Sequence, residues 1–322
     1  MAGAETPVSH MEVVSDLADG RSGRIGYLSA SPFEVHHILC KLDSTPRHPV
    51  LGHLLLPDDA VTRPVPCVVA CHGSRDWADH HHDHITNWLA AGMAVFRVHS
   101  FDARQVISTV EDQMMVTHAM MMHDSYEALK LLGTHPMIDA DRIAISGWSL
   151  GGTVALYSAW SPVAEALAPA GQRFAAHLAL YPAAHMRPEV QRWERAPIRI
   201  LHGEADDYTP LDLVLGLVEE ASANGADIVV QTYPNAHHAF DSAEPMTWLA
   251  DAIKLDTRTV QIDRDGNMWG EVESGVRIPL NEPLQRLAAF DLAGNVGAHV
   301  GGDAGARIQV LQESTDFLLG AL

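Results

Sequence analysis

The chain of 322 residues is 47% hydrophobic and 19% charged, which is the composition of a folded globular protein and excludes wholesale disorder. Its 21 basic and 41 acidic side chains give a formal net charge of −20 at pH 7. Because such a charge repels phosphate backbones and anionic lipid surfaces, we expect no nucleic acid partner and no membrane partner.

The start of the chain predicts no export signal. Its first twenty residues carry four acidic side chains and lack the basic region and apolar run of a signal peptide. Elsewhere, no apolar run free of charges approaches the roughly 18 residues that span a bilayer. The three cysteines, Cys40, Cys67 and Cys71, are odd in number and argue against a disulfide framework. We therefore expect a cytoplasmic protein.

Short segments rich in Val, Ile and Leu, separated by Pro and Asp, predict early strands over 35–42, 50–56 and 65–72. From there, predicted helices and strands alternate. The helices are predicted over 85–91, over 110–132, from 150 onward and over 211–223. The strands among them are predicted over 93–99, 142–146, 175–181, 198–202 and 227–233.

This alternation predicts an α/β fold, with a mostly parallel twisted sheet and helices on both faces, over a core of about residues 35–254. Functional sites are expected where the strands of such a sheet end. Residues 257–269 and 270–280 instead predict a β-hairpin with its turn at Asp265-Gly266, and residues 306–319 predict a last helix. Because no linker intervenes, we predict a single domain over 1–322 with a C-terminal hairpin and helix appendage at about 255–322.

The sequence Gly147-Trp148-Ser149-Leu150-Gly151 lies between a predicted strand and a predicted helix. It has the G-x-S-x-G pattern of a nucleophile elbow, in which the glycines permit a strained turn that exposes the serine. A serine flanked by glycines also occurs in ordinary turns. The context of strand, turn and helix favours Ser149 as a nucleophile over that simpler interpretation.

A serine nucleophile needs a base, and the base needs a carboxylate that orients it. Candidates for both follow strands downstream of Ser149, in the sequences EADD at 204–207 and NAHH at 235–238. The order serine, acid, histidine is that expected of an elbow on an α/β-hydrolase sheet. We pair Asp206 with His238, so that the second ring nitrogen of the histidine is free to accept the serine proton.

An oxyanion hole is expected beside the nucleophile. The backbone N–H of Leu150, directly after Ser149, is one expected donor. The second is expected in the loop after the strand at 65–72, where Gly73 allows the backbone to approach a substrate. We predict the N–H of Ser74 as that donor, with Arg75 as the next choice.

Together these motifs resemble those of the dienelactone hydrolase-like branch of the α/β-hydrolases. The similar segments are HGS at 72–74, GMAVFRVHSFDAR at 92–104, ISGWSLGG at 145–152, LYP at 180–182, LHGEADDYTP at 201–210 and YPNAHHAFD at 233–241. The resemblance implies an α/β-hydrolase fold and a hydrolase activity. The G-x-x-D turn of the family implies Asp206 rather than Asp207 as the acid, and its H-x-F pattern implies His238 rather than His237 as the base.

Departures from the family pattern bear on the reaction. The namesake enzymes use a cysteine nucleophile where this chain has Ser149, so we expect ester chemistry rather than hydrolysis of the namesake lactone. Relatives commonly read D-S-F where this chain has His99-Ser100-Phe101, a change expected to alter the pocket. Cys71 precedes the oxyanion loop and does not lie on the elbow, so we expect it to be a small buried residue.

Other candidates have both a functional and a structural interpretation. For the run DHHHDH at 79–84 we favour a solvated loop over histidines that line the pocket, and we predict no metal site. Arg75 and Arg104 are left open between binding a substrate carboxylate and pairing with an acid. His99, Trp148 and Tyr208 are predicted to contact substrate, with packing as the alternative.

Several side chains of the long helix predicted over 110–132 are assigned to packing rather than to ligand binding. They are His118, His123, Met114, Met115, Met120, Met121 and Met122.

The sequence therefore predicts a serine hydrolase that cleaves small carboxylic esters or lactones through an acyl-enzyme, using Ser149, Asp206 and His238 and no cofactor. The same residues would also suit a peptidase, a thioesterase or an acyltransferase. A hydrolase-like binding protein without activity is the alternative outside enzymes, and homo-oligomerisation is left open.

Overall fold

A computed structural model describes residues 12–57, 63–273 and 275–322 of the chain. The absence of a signal peptide was predicted partly from residues 1–11, which lie outside the described residues. The helices of the described residues are α1 (Val35–Cys40), α2 (Asp79–Ala90), α3 (His118–Leu132), α4 (Leu150–Tyr157), α5 (Ser161–Leu167), α6 (Leu211–Ala223), α7 (Pro283–Ala293) and α8 (Ala304–Ala321).

The strands of the described residues form three sheets. They are β1 (Gly23–Ala30), β2 (Arg47–Leu55), β3 (Val65–Cys71), β4 (Ala94–His99), β5 (Ile138–Trp148), β6 (His177–Leu180), β7 (Met186–Pro188), β8 (Ile198–Gly203), β9 (Ile228–Tyr233), β10 (Thr247–Lys254), β11 (Val260–Ile262), β12 (Met268–Glu273), β13 (Val276–Pro279) and β14 (Asn295–Val300).

The main sheet has the strand order β1-β2-β4-β3-β5-β6-β8-β9, in which β2 is antiparallel to both neighbours and the remaining pairs are parallel. Its central strand β3 is apolar on both faces, because Val69 packs in a core with α3 and α4 while Val68 packs in a second core with α2 and α8. The predicted α/β fold, with a mostly parallel sheet and helices on both faces, is confirmed.

Three local predictions differ from the structure. Residues 35–42 do not form a strand, because Val35 and Ile38, three apart, bury one face of α1. The helix predicted over 110–132 begins only at His118, because the backbone of Val110 instead accepts a hydrogen bond from Ile253. The sheet itself begins at Gly23, before the predicted start of the core at 35.

The segment after β9 is joined to the main fold by strands and by a helix. As predicted, residues 263–267 connect an antiparallel pair, β11 and β12, with Gly266 in the left-handed region at φ 80°. The second strand begins at Met268 rather than at 270, and β12 also pairs with β13. On its other side β11 pairs with β7, and α8 packs in the same core as α2. Among the described helices, none combines the length and the apolarity that a membrane span requires.

Candidate active site

The nucleophile elbow lies between β5 and α4. Ser149 follows the last residue of the strand, precedes the helix, and has the strained backbone angles φ 54° and ψ −110°. A Cβ atom on Gly147 would lie 2.3 Å from the carbonyl oxygen of Gly151, and one on Gly151 would lie 2.1 Å from that of Cys71. Glycine is therefore required at both positions, and the turn holds Ser149 out at the end of the sheet.

Ser149, His238 and Asp206 form a continuous hydrogen-bonded chain. The Oγ atom of Ser149 lies 2.8 Å from Nε2 of His238, whose Nδ1 lies 2.8 Å from Oδ2 of Asp206. Asp206 follows β8 and His238 follows β9, so neighbouring parallel strands bring the acid and the base to one edge of the sheet. The distances fit the roles predicted from sequence, with Ser149 as nucleophile, His238 as general base and Asp206 as orienting acid.

Asp206 is held in place by several donors and is 6% exposed. Its Oδ1 accepts from the backbone N–H groups of Tyr208 at 2.9 Å and Thr209 at 2.8 Å, and its Oδ2 accepts from the Thr209 hydroxyl at 2.9 Å. Burial alone would raise the pKa of Asp206, but His238, His202 and the N–H of Thr209 outweigh burial and lower this pKa to about 2. The ionised carboxylate favours a proton on Nδ1 of His238, which leaves Nε2 free to accept one from Ser149.

A second buried carboxylate, Asp241, lies behind His238. It accepts from the hydroxyl of Tyr181 at 2.9 Å and lies 3.2 Å from Nε2 of His84. The Tyr181 ring contacts the His238 ring at a centroid distance of 4.8 Å. Burial would raise the pKa of Asp241, but His80, His84 and Tyr181 together lower it. This arrangement supports the loop that carries His238.

The predicted solvated loop over 79–84 is wrong. These residues form the first half of α2, and two of their histidines, His81 and His84, are 3% and 0% exposed. The ring of His81 packs on Trp148, and His84 contacts Asp241. The sequence interpretation missed the helix and these contacts. His80 and His84 are spaced four apart, as residues on one face of a helix are, and this spacing was the available signal for the helix.

The C-terminal segment also contacts the loop of His238. The carbonyl of His238 accepts from the N–H of Gly301 at 3.0 Å, directly after β14, and the carbonyl of Phe240 accepts from the N–H of Asp303 at 2.9 Å. The loop of the base is therefore fixed from outside the main sheet, by residues that the sequence did not connect with the site.

Two cavities meet at Ser149. The narrow cavity, about 140 Å³, and the wide cavity, about 670 Å³, share Ser74, Ser149 and Tyr208 in their walls. Leu150 lines the narrow cavity, so the two predicted oxyanion donors, Ser74 and Leu150, flank the same space as the nucleophile. An ester bound with its carbonyl at Ser149 would have room for a substituent on each side.

The remaining predicted contact residues separate into two groups. The first group lines the wide cavity and consists of the exposed Arg75, the buried Trp148 and Tyr208. The ring of Tyr208 also lies 4.8 Å from the ring of His238, measured between centroids. His99 and Arg104 line neither of these two cavities, and Nδ1 of His99 lies 3.0 Å from Oδ2 of Asp102.

Arg104 has a structural position instead of the substrate contact left open from sequence. Its guanidinium donates to both oxygens of Asp124, at 2.7 and 3.1 Å, and also to Ser31 and Ala30. Asp124 is fully buried and needs a cationic partner, which the sequence alone did not reveal because the pair joins α3 to the end of β4.

The packing predictions have mixed outcomes. Cys71 is fully buried, and burial raises the pKa of its thiol to about 12, so it is a poor nucleophile. Met120, Met121 and Met122 lie in the core, as expected, but Met115 precedes α3 and is 56% exposed. His123 is buried, with Nδ1 2.9 Å from the Ser29 hydroxyl.

One group of side chains has the composition of a metal site. Asp207, His237 and His299 each place one ligand atom within 4.8 Å of the others. Oδ2 of Asp207 is already hydrogen-bonded to Nδ1 of His299 at 2.8 Å. None of the histidines of the run at 79–84 belongs to this group.

Comparisons with known proteins show the family and the fold of the chain. The model of the dienelactone hydrolase family matches residues 51–258, which is more than half of the chain. No curated protein sequence matches the chain. The dienelactone hydrolase-like promiscuous phosphotriesterase P91 from metagenomic libraries is similar with a TM-score of 0.55 and 15% identity, over 93% of this chain and 99% of that one. A Klebsiella pneumoniae structure assigned as a dienelactone hydrolase has a TM-score of 0.50 and 19% identity, over 68% of this chain and 88% of that one. At these identities the two structures show the fold alone.

Proposed function

Since this chain belongs to the dienelactone hydrolase family, we propose that it cleaves carboxylic esters or lactones with Ser149 as its nucleophile. The observation that carries the proposal is the hydrogen-bonded chain from Ser149 through His238 to Asp206, at 2.8 Å for each bond. Serine at the elbow, with its base already in contact, suits acyl transfer at a carbonyl carbon.

The proposed reaction has two halves. Ser149 Oγ attacks the ester carbonyl while His238 Nε2 takes its proton, and the N–H groups of Leu150 and Ser74 stabilise the oxyanion. Collapse of this intermediate breaks the bond to the alcohol, which receives the proton from His238 and leaves an acyl-serine. A water molecule then attacks the acyl carbon while the same His238 takes one of its protons. Collapse of this second intermediate breaks the bond between the acyl carbon and Ser149 Oγ, and His238 returns the proton to Oγ as the acid leaves. The cycle needs no cofactor, because every proton moves among Ser149, His238, the leaving alcohol and water.

The two cavities suggest how a small ester would lie. With the carbonyl at Ser149, one substituent would occupy the narrow cavity and the other the wide cavity, which is open to larger groups. Asp206 remains ionised throughout and stabilises the imidazolium that forms on His238 during attack.

Replacing the nucleophile tests the proposal. Ser149→Ala is expected to lower kcat/KM for p-nitrophenyl acetate by about 10⁴-fold or more, because the proposed acyl intermediate forms on Ser149 Oγ. A fluorophosphonate probe is expected to label Ser149, as read by peptide mass spectrometry. Ser44→Ala, at an exposed serine outside both cavities, is the matched control and should retain activity and labelling. If Ser149→Ala hydrolysed the ester at the wild-type rate, or if the probe labelled another residue, the proposal would be overturned.

A further inference from the structure

The narrow cavity has a polar end that the proposed reaction does not use. Three side chains from separate elements line it: Glu34 just before α1, His118 at the start of α3, and Arg286 in α7. Ser149 lines the same cavity, whose lining is otherwise largely apolar and includes Val116, Met186, Val260, Met268, Leu280 and Phe290. A cluster of polar groups at the end of an apolar cavity is the arrangement that fixes one functional group of a ligand.

The cluster has unused hydrogen-bonding capacity. Arg286 donates to Oε1 of Glu34 at 2.6 Å, which satisfies one carboxylate oxygen. The other oxygen, Oε2, and Nε2 of His118 are buried without a hydrogen-bond partner among the described residues. These two atoms lie 3.8 Å apart, and Glu34 is only 2% exposed. Because a buried polar atom without a partner is unfavourable, a ligand group that hydrogen-bonds to both atoms would be favoured here.

The charges of the cluster favour a neutral group. Burial, with the charge of Arg286 nearby, lowers the pKa of His118 to about 3, so the imidazole is neutral near pH 7. Burial raises the pKa of Glu34 and outweighs the opposite effect of Arg286. An anionic ligand group would be repelled by the acceptor oxygen of Glu34, and a cationic one would be repelled by the guanidinium of Arg286. A hydroxyl has neither conflict, because it can donate to Oε2 and accept from an N–H at Nε2 of His118.

We propose that the narrow cavity binds a short apolar chain that ends in a hydroxyl group, so that the preferred substrates are small hydroxylated esters or hydroxylated lactones. The inference rests on the proposed function and names its substrate class. A hydroxyl oxygen can lie about 2.8 Å from both Oε2 of Glu34 and Nε2 of His118, because these atoms are 3.8 Å apart. The cavity volume of about 140 Å³ suits a chain of about six non-hydrogen atoms, since a cavity of similar size accepts benzene.

Matched pairs of esters test the inference. We would compare ethyl esters of ω-hydroxy acids with ethyl alkanoates of equal length, and ω-hydroxyalkyl acetates with alkyl acetates, by pH-stat. At one chain length in at least one series, kcat/KM is expected to be about tenfold or more higher for the hydroxylated member. Hydrolysis of the plain esters without such a preference in either series would overturn the inference and leave the proposed function intact. Failure of every ester and of the fluorophosphonate probe would overturn both.

Variants locate the preference in the cluster. His118→Phe keeps a ring and removes the nitrogen, and Glu34→Leu with Arg286→Met removes the buried ion pair without leaving one charge behind. Each is expected to reduce the ratio of hydroxylated to plain substrate to about one. The ratio is measured on one preparation, so loss of folded protein cancels. Glu165→Leu with Arg192→Met, at an exposed ion pair, is the matched control and should keep the ratio. A preference that survives both cluster variants would overturn the assignment.

Discussion

Two kinds of buried carboxylate surround Ser149, and they differ in how completely they are hydrogen-bonded. On the side of the base, Asp206 and Asp241 use both of their oxygens, and the pKa of each is lowered. In the wall of the narrow cavity, Oε1 of Glu34 accepts from Arg286, Oε2 has no hydrogen-bond partner among the described residues, and the pKa of Glu34 is raised.

The difference separates positioning from recognition. A carboxylate whose partners are all within the protein holds those partners in place, and its loss affects every substrate alike. A carboxylate with an unpartnered buried oxygen is stabilised by a ligand that donates a hydrogen bond to that oxygen. Loss of such a carboxylate therefore changes which substrates are preferred. Mutation of Asp206 or Asp241 should therefore lower the rate on all substrates. Mutation of Glu34 should instead change the ratio of the rates on hydroxylated and plain substrates.

The largest effect is expected at Asp206. Asp206→Asn removes the charge that orients His238 and stabilises its imidazolium, so kcat should fall by about 10³- to 10⁴-fold on hydroxylated and plain esters alike. Steady-state kinetics on one matched pair of esters measures both the fall and the ratio. Asp207→Asn is the control, because that carboxylate pairs with His299 instead of His238. A larger loss in Asp207→Asn than in Asp206→Asn would exchange the two assignments.

The sequence predicted those parts of the site whose signals are local. The elbow, the acid turn and the base turn each lie within a few residues of a strand end, and α6 begins and ends at the predicted residues 211 and 223. Glycine spacing and apolar periodicity predicted the elbow and the strand ends, and the family resemblance selected Asp206 and His238 over their neighbours.

Contacts between distant residues were beyond the sequence alone. Asp241 meets His84 across 157 positions, and Glu34 meets Arg286 across 252. Nothing in either local pattern indicates its partner. The β-branched residue at Val35 favoured a strand, yet packing of one helical face decided otherwise. The polar end of the narrow cavity was missed for this reason, since it exists only once α1, α3 and α7 have come together.

A smaller loss is expected at Asp241. Asp241→Asn keeps the shape but weakens the contacts to His84 and Tyr181, which should destabilise the protein by about 2 kcal/mol and lower kcat by about tenfold through displacement of His238. Urea unfolding and steady-state kinetics measure the two effects. Asp251→Asn, at an exposed carboxylate, is the control. If Asp241→Asn matched wild type in both measurements, Asp241 would have no positioning role.

The smallest effect is a difference in how the two kinds of carboxylate respond to pH. The pKa of Asp206 is lowered from 3.8 to about 2, so its stabilising contribution is complete above about pH 4 and is lost as the pH falls towards 2. That contribution amounts to about 2 kcal/mol. Glu34 has the opposite sign, because its pKa is raised above 4.5 and the folded state therefore loses stability as the pH rises through this range.

Urea unfolding of wild type, Asp206→Asn and Glu34→Gln from about pH 2 to about pH 7 separates the two contributions. The stability advantage of wild type over Asp206→Asn should grow between about pH 2 and pH 4 and then stay constant. The difference in free energy of unfolding between wild type and Glu34→Gln should instead change above about pH 4.5, because wild type is destabilised as Glu34 ionises. Parallel profiles for both variants would show that the two carboxylates are in equivalent environments, and the distinction between a positioning carboxylate and a recognising one would then fail.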